Sequence, residues 1–270
     1  MNKLQTKLLA AFSFFHDTCI ENDLQYIAGG GTFLGAIRHH GFIPWDDDID
    51  VWMPRPDYEK LIKIMAKEKK GKYLLETPQS NTGGYYYAMG KLYDTTTTAV
   101  EKTKFNVKKG INIDVFPLDG LGKTENERKR LFGKMHIINM LISSRISLPR
   151  RERNALKNMA IHISSIVPET LVNTQKLLQR FDRQCAVLPY EGSKYVGVLM
   201  GSYGMRDVIP SEWLQNLTLY DFESIKIYGV KNYDEYLTYV FGDWRELPPE
   251  KERVSPHEFE QLDLDHGYFG

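Results

Sequence analysis

Four aspartates fall within five residues, Asp46, Asp47, Asp48 and Asp50, near the end of the stretch "GGGTFLGAIRHHGFIPWDDDIDVWMP". Each ionised carboxylate raises the pKa of its neighbour, so in a partly buried place the group calls for a shared cation, and a metal ion is the first candidate. If the aspartates enter a strand, alternation at about 3.3 Å per residue puts Asp48 and Asp50 on one face with α-carbons roughly 6–7 Å apart. Ile49 and Val51 then turn toward a core, and Asp46 and Asp47 stay at the strand's entrance. A second carboxylate sits on an apolar strand in "INIDVFPLD", where Asp114 lies between Ile113 and Val115 and would be costly to bury unpaired. Should that strand lie beside the first, Asp48, Asp50 and Asp114 form an oxygen set suited to magnesium or manganese, with positions left for substrate phosphates. Two such ions could flank the attacking and leaving oxygens of a phosphoryl transfer.

Other uses of these residues fail on spacing. A calcium loop starting at Asp46 needs glycine where Val51 stands and glutamate where Asp57 stands; a dinucleotide fingerprint starting at Gly29 needs glycine at Leu34; and no GK[ST] follows. The remaining alternative is a solvated acidic loop that caps a turn and the next helix, against which the strand pattern argues.

The elements around the aspartates read as α/β. "LQYIAGG" is a short strand ending in glycines, "TFLGAIRHHG" a helix beginning at Thr32, and "DDIDVWMP" a strand. A helix follows from Arg55, its first turn marked by Pro56 and Asp57. Shorter strands are expected at "KYLLE", "GYYYAMGKLYD", "TTTAV" and "INIDVFPLD". Beyond about Leu121 the pattern turns mostly helical, with "TENERKRLFGKMHIINMLISS", "RERNALKNMAIHISSI" and "PETLVNTQKLLQRFDRQCAVL". A last α/β patch and a polar tail rich in Pro, Glu and His close the chain. The expected division is a catalytic core over residues 1–121 and a helical and C-terminal region over 122–270 that completes the site and binds acceptor.

The 270 residues carry 35 Lys and Arg against 35 Asp and Glu, a balance that gives no global reason to expect nucleic acid. Cys19 and Cys185, far apart, argue against a disulfide framework or structural zinc and fit a reducing compartment. The first residues read as an ordinary amphipathic helix, and no apolar run reaches the roughly 20 residues of a membrane span.

A glycine pair and Thr, a short helix, a carboxylate-x-carboxylate strand and a third strand carboxylate, in this order, resemble the nucleotidyltransferase superfamily. More narrowly, "GTFLGAIRHHGFIPWDDDIDVWMP" resembles the signature of the LicD family, relatives of the fukutin-related proteins, with support at "IDVFPLDGL" and "YVFGDWRELPPEKERVSPH". The resemblance implies a mixed sheet with flanking helices. It also implies a metal-dependent transfer of phosphocholine from CDP-choline to a sugar hydroxyl of a teichoic-acid or lipopolysaccharide precursor, releasing CMP, in the cytoplasm. Asp48, Asp50 and Asp114 would be the catalytic metal ligands, holding Mg2+ or Mn2+, two ions being expected. Asp46 would assist from behind them, and Asp47 would be dispensable. Gly30, Gly31 and Thr32 would hold phosphate oxygens, which agrees with the physics of a glycine turn opening a helix.

Further candidates carry two readings each. Arg38 suits a diphosphate contact through its guanidinium fork or a salt bridge to the aspartates; Lys91 suits a substrate contact or the surface. Trp45 is expected to pack beneath the aspartates, and His39, His40, His257 and His266 are not assigned to the site. Tyrosines of "GGYYYAM" and the Trp of "WMP" could face a quaternary ammonium, without a cage being legible. Residues 123–157 hold ten Lys or Arg against three Glu around the apolar run "HIINMLISSRISL". This describes either a helical bundle with a basic outer face or peripheral contact with an anionic membrane, at the inner face of the cell membrane, or with a lipid-linked glycan. The rivals to phosphocholine transfer are transfer of another CDP-activated group, a glycosyltransferase using "DID" as a DxD motif, and a non-catalytic glycan- or nucleotide-binding protein.

Overall fold

The computed structural model describes residues 1–67, 71–80, 85–149, 155–201, 203–255 and 257–269. Its first half runs α1 (Lys3–Glu21), β1 (Ile27–Ala28), α2 (Gly30–His39), β2 (Asp50–Pro54), α3 (Arg55–Met65), β3 (Tyr73–Glu76), β4 (Gly90–Asp94), β5 (Thr98–Glu101), β6 (Lys108–Lys109) and β7 (Asn112–Gly120). The second half runs α4 (Glu125–Ile146), α5 (Ala155–Ile166), α6 (Thr174–Cys185), β8 (Tyr195–Gly197), β9 (Val208–Pro210), β10 (Leu217–Phe222), β11 (Ile225–Val230), α7 (Tyr233–Phe241) and β12 (Phe259–Asp263). The fold is therefore mixed α/β.

The main sheet has the order β1-β2-β7-β4-β3, extended by β8 on β7 and β9 on β8. Its one parallel pair is β2 with β7, in a register that sets Val51 opposite Val115 and Asp50 opposite Asp114. Val51, Ile113, Val115 and Leu118 are buried, which is how strands with so little polar alternation reach stability. Helix α1 covers this sheet: a reciprocal pair of hydrogen bonds between Asn2 and Gln5 starts it, and Leu8, Phe12, Phe15 and Cys19, spaced for one helix face, are buried. The β10–β11 hairpin packs on α2 and β1. A small sheet, β12-β5-β6, brings the C-terminal segment back to the first half.

Several boundaries differ from the sequence reading. The helix expected from Thr32 begins two residues earlier, at Gly30, with Gly29 as its cap. The strand after the aspartates begins only at Asp50, so Asp48 precedes it and the face-sharing argument for Asp48 and Asp50 does not apply. In "GYYYAMGKLYD" only the last five residues are strand, and Gly84 lies outside the described residues, as do residues 151–154 of the second expected helix. Residues 168–172 are not helical; α6 starts at Thr174, where Asn173 Oδ1 accepts from the Lys176 N–H. The polar tail contains β12, and Leu217–Phe222, which no pattern had marked, pairs with β11.

A buried ion network ties α3 to β7 and α6. Arg55 donates from Nε and Nη2 to the two oxygens of Asp119 (2.7 and 2.8 Å) and from Nη1 to Asp182 Oδ1 (2.8 Å), and Gln79 donates to the other Asp182 oxygen. Removing one member leaves the opposite charge buried and unpaired. Arg55→Leu is therefore expected to lower stability by roughly 3–5 kcal/mol, measured as the shift of a urea unfolding curve; a loss below about 1 kcal/mol would show that water solvates the two carboxylates.

Candidate active site

The start of α2 and the start of β2 hold each other. Gly29 N–H donates to Asp50 O (3.0 Å), and Asp50 N–H donates to Thr32 Oγ1 (2.8 Å), so Asp50 is fixed beside the helix's first turn. Gly30 has φ +43°, which favours glycine, and a Cβ on Gly31 would stand 3.0 Å from Asp46 Oδ2. Both glycines thus let carboxylates approach a helix end whose dipole and free N–H groups favour negative charge. Gly31 and Thr32 occupy the second and third helical positions, where an N–H has no intrahelical acceptor. Gly30 differs, since its N–H donates to Tyr236 Oη at 3.3 Å.

Oxygens of Asp46, Asp47 and Asp48 lie within 4.8 Å of one another. Withdrawal from water and the charge of Asp48 push Asp46 up to about 8. Asp50 is held well above the usual carboxylate range by withdrawal from water and by Asp48, Asp114 and Asp46. The sequence set Asp48, Asp50, Asp114 and the tight cluster Asp46, Asp47, Asp48 overlap at Asp48; strand pairing brings Asp50 and Asp114 together, and the loop before β2 brings the other three.

Lys91 is neither at the surface nor open to a ligand on all sides. It is buried on β4 directly opposite Asp114, with Nζ 2.9 Å from Asp114 Oδ1 and 3.4 Å from Glu101 Oε1. It also lies 4.2 Å from the Tyr87 ring centre. Asn112 Nδ2 donates to the same Asp114 oxygen. Burial raises Asp114 while Lys91 opposes the rise, and the net shift is upward. Glu101, which desolvation would raise, is lowered overall because Lys91 and the Tyr87 hydroxyl favour its charged form.

Sequence reasoning missed two groups here. Glu101 ends β5 as an ordinary strand glutamate and had no motif to mark it. His257 had a weak signal in the "SPH" of the C-terminal resemblance but was set aside as one of seven histidines. Its Nδ1 lies 2.8 Å from Asp47 Oδ1 and its Nε2 3.9 Å from Asp48 Oδ2. The hydrogen bond to Asp47 raises its pKa to about 9 against the opposing effect of burial. Ser255 Oγ donates to the other Asp47 oxygen. Asp47 therefore anchors the C-terminal segment to the aspartate loop.

The other candidates lie elsewhere. Arg38 spends Nη1 on the carbonyls of Trp244 (2.8 Å) and Glu246 (3.2 Å), and among the described residues it forms no ion pair with the aspartates. His40 closes α2 in a left-handed conformation, His39 Nε2 accepts from Arg38 Nε, and His266 bonds to Asp263. Trp52 of "WMP" is buried against Gly29, whereas Tyr203, which the pattern had not marked, comes within 3.5 Å of the position a Gly30 Cβ would take.

The donor set at the aspartates is all oxygen, and several of its members are driven toward the protonated state by one another. That is the environment a hard divalent ion such as magnesium or manganese fits. A carboxylate raised from its unfolded value keeps a proton in the folded state that the unfolded chain has lost, so stability falls as pH rises from about 4 through the folded value. The raised His257 works in the same direction. The metal-free protein is expected to lose thermal stability between pH 5 and 8, Asp46→Asn to flatten part of that slope, and millimolar Mg2+ or Mn2+ to restore the midpoint at pH 8. Scanning fluorimetry across pH with and without chelator checks this. A profile that neither slopes nor responds to Asp46→Asn would contradict the charge arrangement.

Residues 23–149 match the family model of the LicD/FKTN/FKRP nucleotidyltransferase domain. Over 265 residues, 97% of each chain, the protein is 29% identical to the lipopolysaccharide cholinephosphotransferase LicD of Haemophilus influenzae. A shorter stretch of 52 residues, 19% of this chain and 20% of the other, is 38% identical to an uncharacterized protein of Rickettsia prowazekii. A similar stretch of 61 residues, 23% of this chain and 20% of the other, is 34% identical to one of Rickettsia typhi. The matched span contains the glycine turn, all four clustered aspartates, Lys91 and Asp114, and the near full-length relative extends the likeness through the C-terminal segment that carries His257: residues 23–149 match a LicD-type nucleotidyltransferase domain.

Proposed function

We propose that the protein transfers phosphocholine from CDP-choline to a hydroxyl of a cell-surface glycan precursor, lipopolysaccharide or teichoic acid, and releases CMP on the cytoplasmic side. The observation that carries this reading is the convergence of Asp46, Asp48 and Asp114 on Asp50, which stands beside the N-terminal turn of α2, in a chain alike over nearly its whole length to a lipopolysaccharide cholinephosphotransferase.

Asp48, Asp50 and Asp114 would hold one or two divalent ions, with Asp46 beside them. Such ions supply a lowered pKa for the attacking hydroxyl and positive charge for the departing diphosphate oxygen. The N–H groups of Gly31 and Thr32 orient the donor's phosphate oxygens at the helix end. The acceptor oxygen attacks the choline-bearing phosphorus, the bond from that phosphorus to the bridging oxygen breaks, and CMP leaves with that oxygen. Asp114 keeps Oδ1 on Lys91 and Asn112, so Oδ2 is the oxygen left to it, either to take the hydroxyl proton as base or to bridge the ions, in which case the proton passes to solvent. Lys91, buried between Asp114 and Glu101, acts by balancing the two carboxylates.

Asp48→Asn and Asp50→Asn are each expected to lower CMP release by more than about a hundredfold, in line with removing charge stabilisation from a transition state, while far-UV circular dichroism stays unchanged. Near-wild-type turnover in either variant would overturn the assignment. Release of a nucleoside diphosphate would mark glycosyl transfer, and binding of CDP-choline without turnover on any precursor would mark a silent member of the fold.

A further inference from the structure

Helix α5 is built inside out. Its twelve residues, ALKNMAIHISSI, contain no acid and are apolar at seven positions, yet among its described side chains the one large group buried is Ile161. It meets α4 instead through polar groups: Ser164 Oγ donates to Ser144 O (2.8 Å), and Arg145 donates to Ser164 O (3.2 Å). Met159, Ile163 and Ile166, spaced i, i+4, i+7 for one helix face, are 53%, 60% and 78% exposed. A helix in a water-soluble domain normally turns that stripe inward.

Helix α4 repeats the arrangement. Ile137, Met140 and Leu141 are 56%, 51% and 60% exposed. On the same face, one and two turns earlier at i−3 and i−7 from Ile137, stand exposed Lys134 and Arg130. Leu141 comes one turn before the Ser144–Ser164 junction, and Ile163 and Ile166 flank it, so the two stripes adjoin where the helices touch. The sequence between the helices adds Arg150, Arg151 and Arg153. From Arg128 to Ile166 the sequence has nine Lys or Arg against the single acid Glu152; Arg145 is buried against Glu169, and Arg128 and Lys129 pair with Glu125, so Arg130, Lys134 and the residues between the helices carry the excess.

Charge decides what covers this face. A second copy would bring two strongly basic surfaces together, with repulsion instead of pairing. An anionic lipid surface offers what both features need: headgroup charge for the basic residues and the acyl boundary for the apolar stripe. No helix among the described residues is long and apolar enough to cross a membrane, so the helices would lie in the interface. We propose that the exposed faces of α4 and α5 form a docking surface for an anionic phospholipid bilayer, with Ile163, Ile166 and Leu141 entering the headgroup boundary while Lys134 and Arg130 extend to phosphates.

The test uses full-length protein and sedimentation with vesicles of phosphatidylcholine alone or with 30% phosphatidylglycerol. Partition onto the anionic vesicles is expected to exceed that onto neutral ones at least tenfold and to fall as salt rises. Ile163→Asp with Ile166→Asp should lower it at least tenfold, and Arg130→Glu with Lys134→Glu should do so independently; these side chains are exposed, and unchanged circular dichroism and urea midpoints confirm folding. Equal partition onto both vesicle types, no partition, or unaltered partition in both variants would overturn the proposal. So would a stable dimer in light scattering that Ile163→Asp with Ile166→Asp dissociates, which would assign the face to a second copy. Binding is read without turnover, so it stands or falls apart from the donor chemistry.

Discussion

Mutual repulsion among carboxylates is the constraint around which this molecule is arranged. Asp46, Asp47, Asp48 and Asp50 meet Asp114 across the parallel pair β2–β7, and the charge must be met by something. Local answers are visible at every side: the helix end at Gly30 and Gly31 facing Asp46 and Asp50, Lys91 on Asp114, and His257 on Asp47. His257 Nε2 comes to 3.9 Å from Asp48, yet Asp46 and Asp50 remain raised, a need that the divalent ion of the proposed site would meet. The raised Asp46 and Asp50 and the all-oxygen donor set are then two aspects of one arrangement.

The rest of the chain secures that arrangement from a distance. Lys91 can be buried because β4 carries it against Asp114 and β5 brings Glu101 to its other side. β5 in turn accepts β12, with Phe259 opposite Glu101. That pairing sets His257 two residues before the strand and within reach of Asp47. On the opposite flank Tyr236 of α7 receives the Gly30 N–H, and Arg38 holds the segment after α7 through the carbonyls of Trp244 and Glu246. The C-terminal third thus encloses a site whose carboxylates all come from the first half.

What could be read from the sequence divides along the range of the forces involved. Short-range patterns were legible: the amphipathic first helix, the apolar strands carrying Asp50 and Asp114, and the glycine turn, because each depends on residues within one or two turns of the chain. The pairing of β2 with β7 was a conditional inference, and its register came only with the fold. Lys91 was ambiguous because a lysine on an aromatic strand reads as surface until its partners, ten and twenty-three residues away, are known. Glu101 was invisible and His257 only faintly marked for the same reason: β12 meets β5 across more than 150 residues. The polar tail gave no strand signal because its strand pairs at an edge, where alternation with an apolar core is not required. Arg38 shows the converse error, in which proximity in sequence to the aspartates suggested a partnership that the helix geometry turns elsewhere.

Asp47 shows why the aspartates are not equivalent. Its two oxygens are taken by His257 and Ser255, so the carboxylate read as dispensable by chemistry is the one most committed by structure. Asp48, next to it, keeps both neighbours in view: its oxygen belongs to the cluster with Asp46 and Asp47, 3.9 Å from His257 Nε2, and its charge acts on Asp50 and Asp114. Asp48 is therefore the side chain at which the aspartate loop, the β2–β7 pair and the C-terminal segment meet electrostatically.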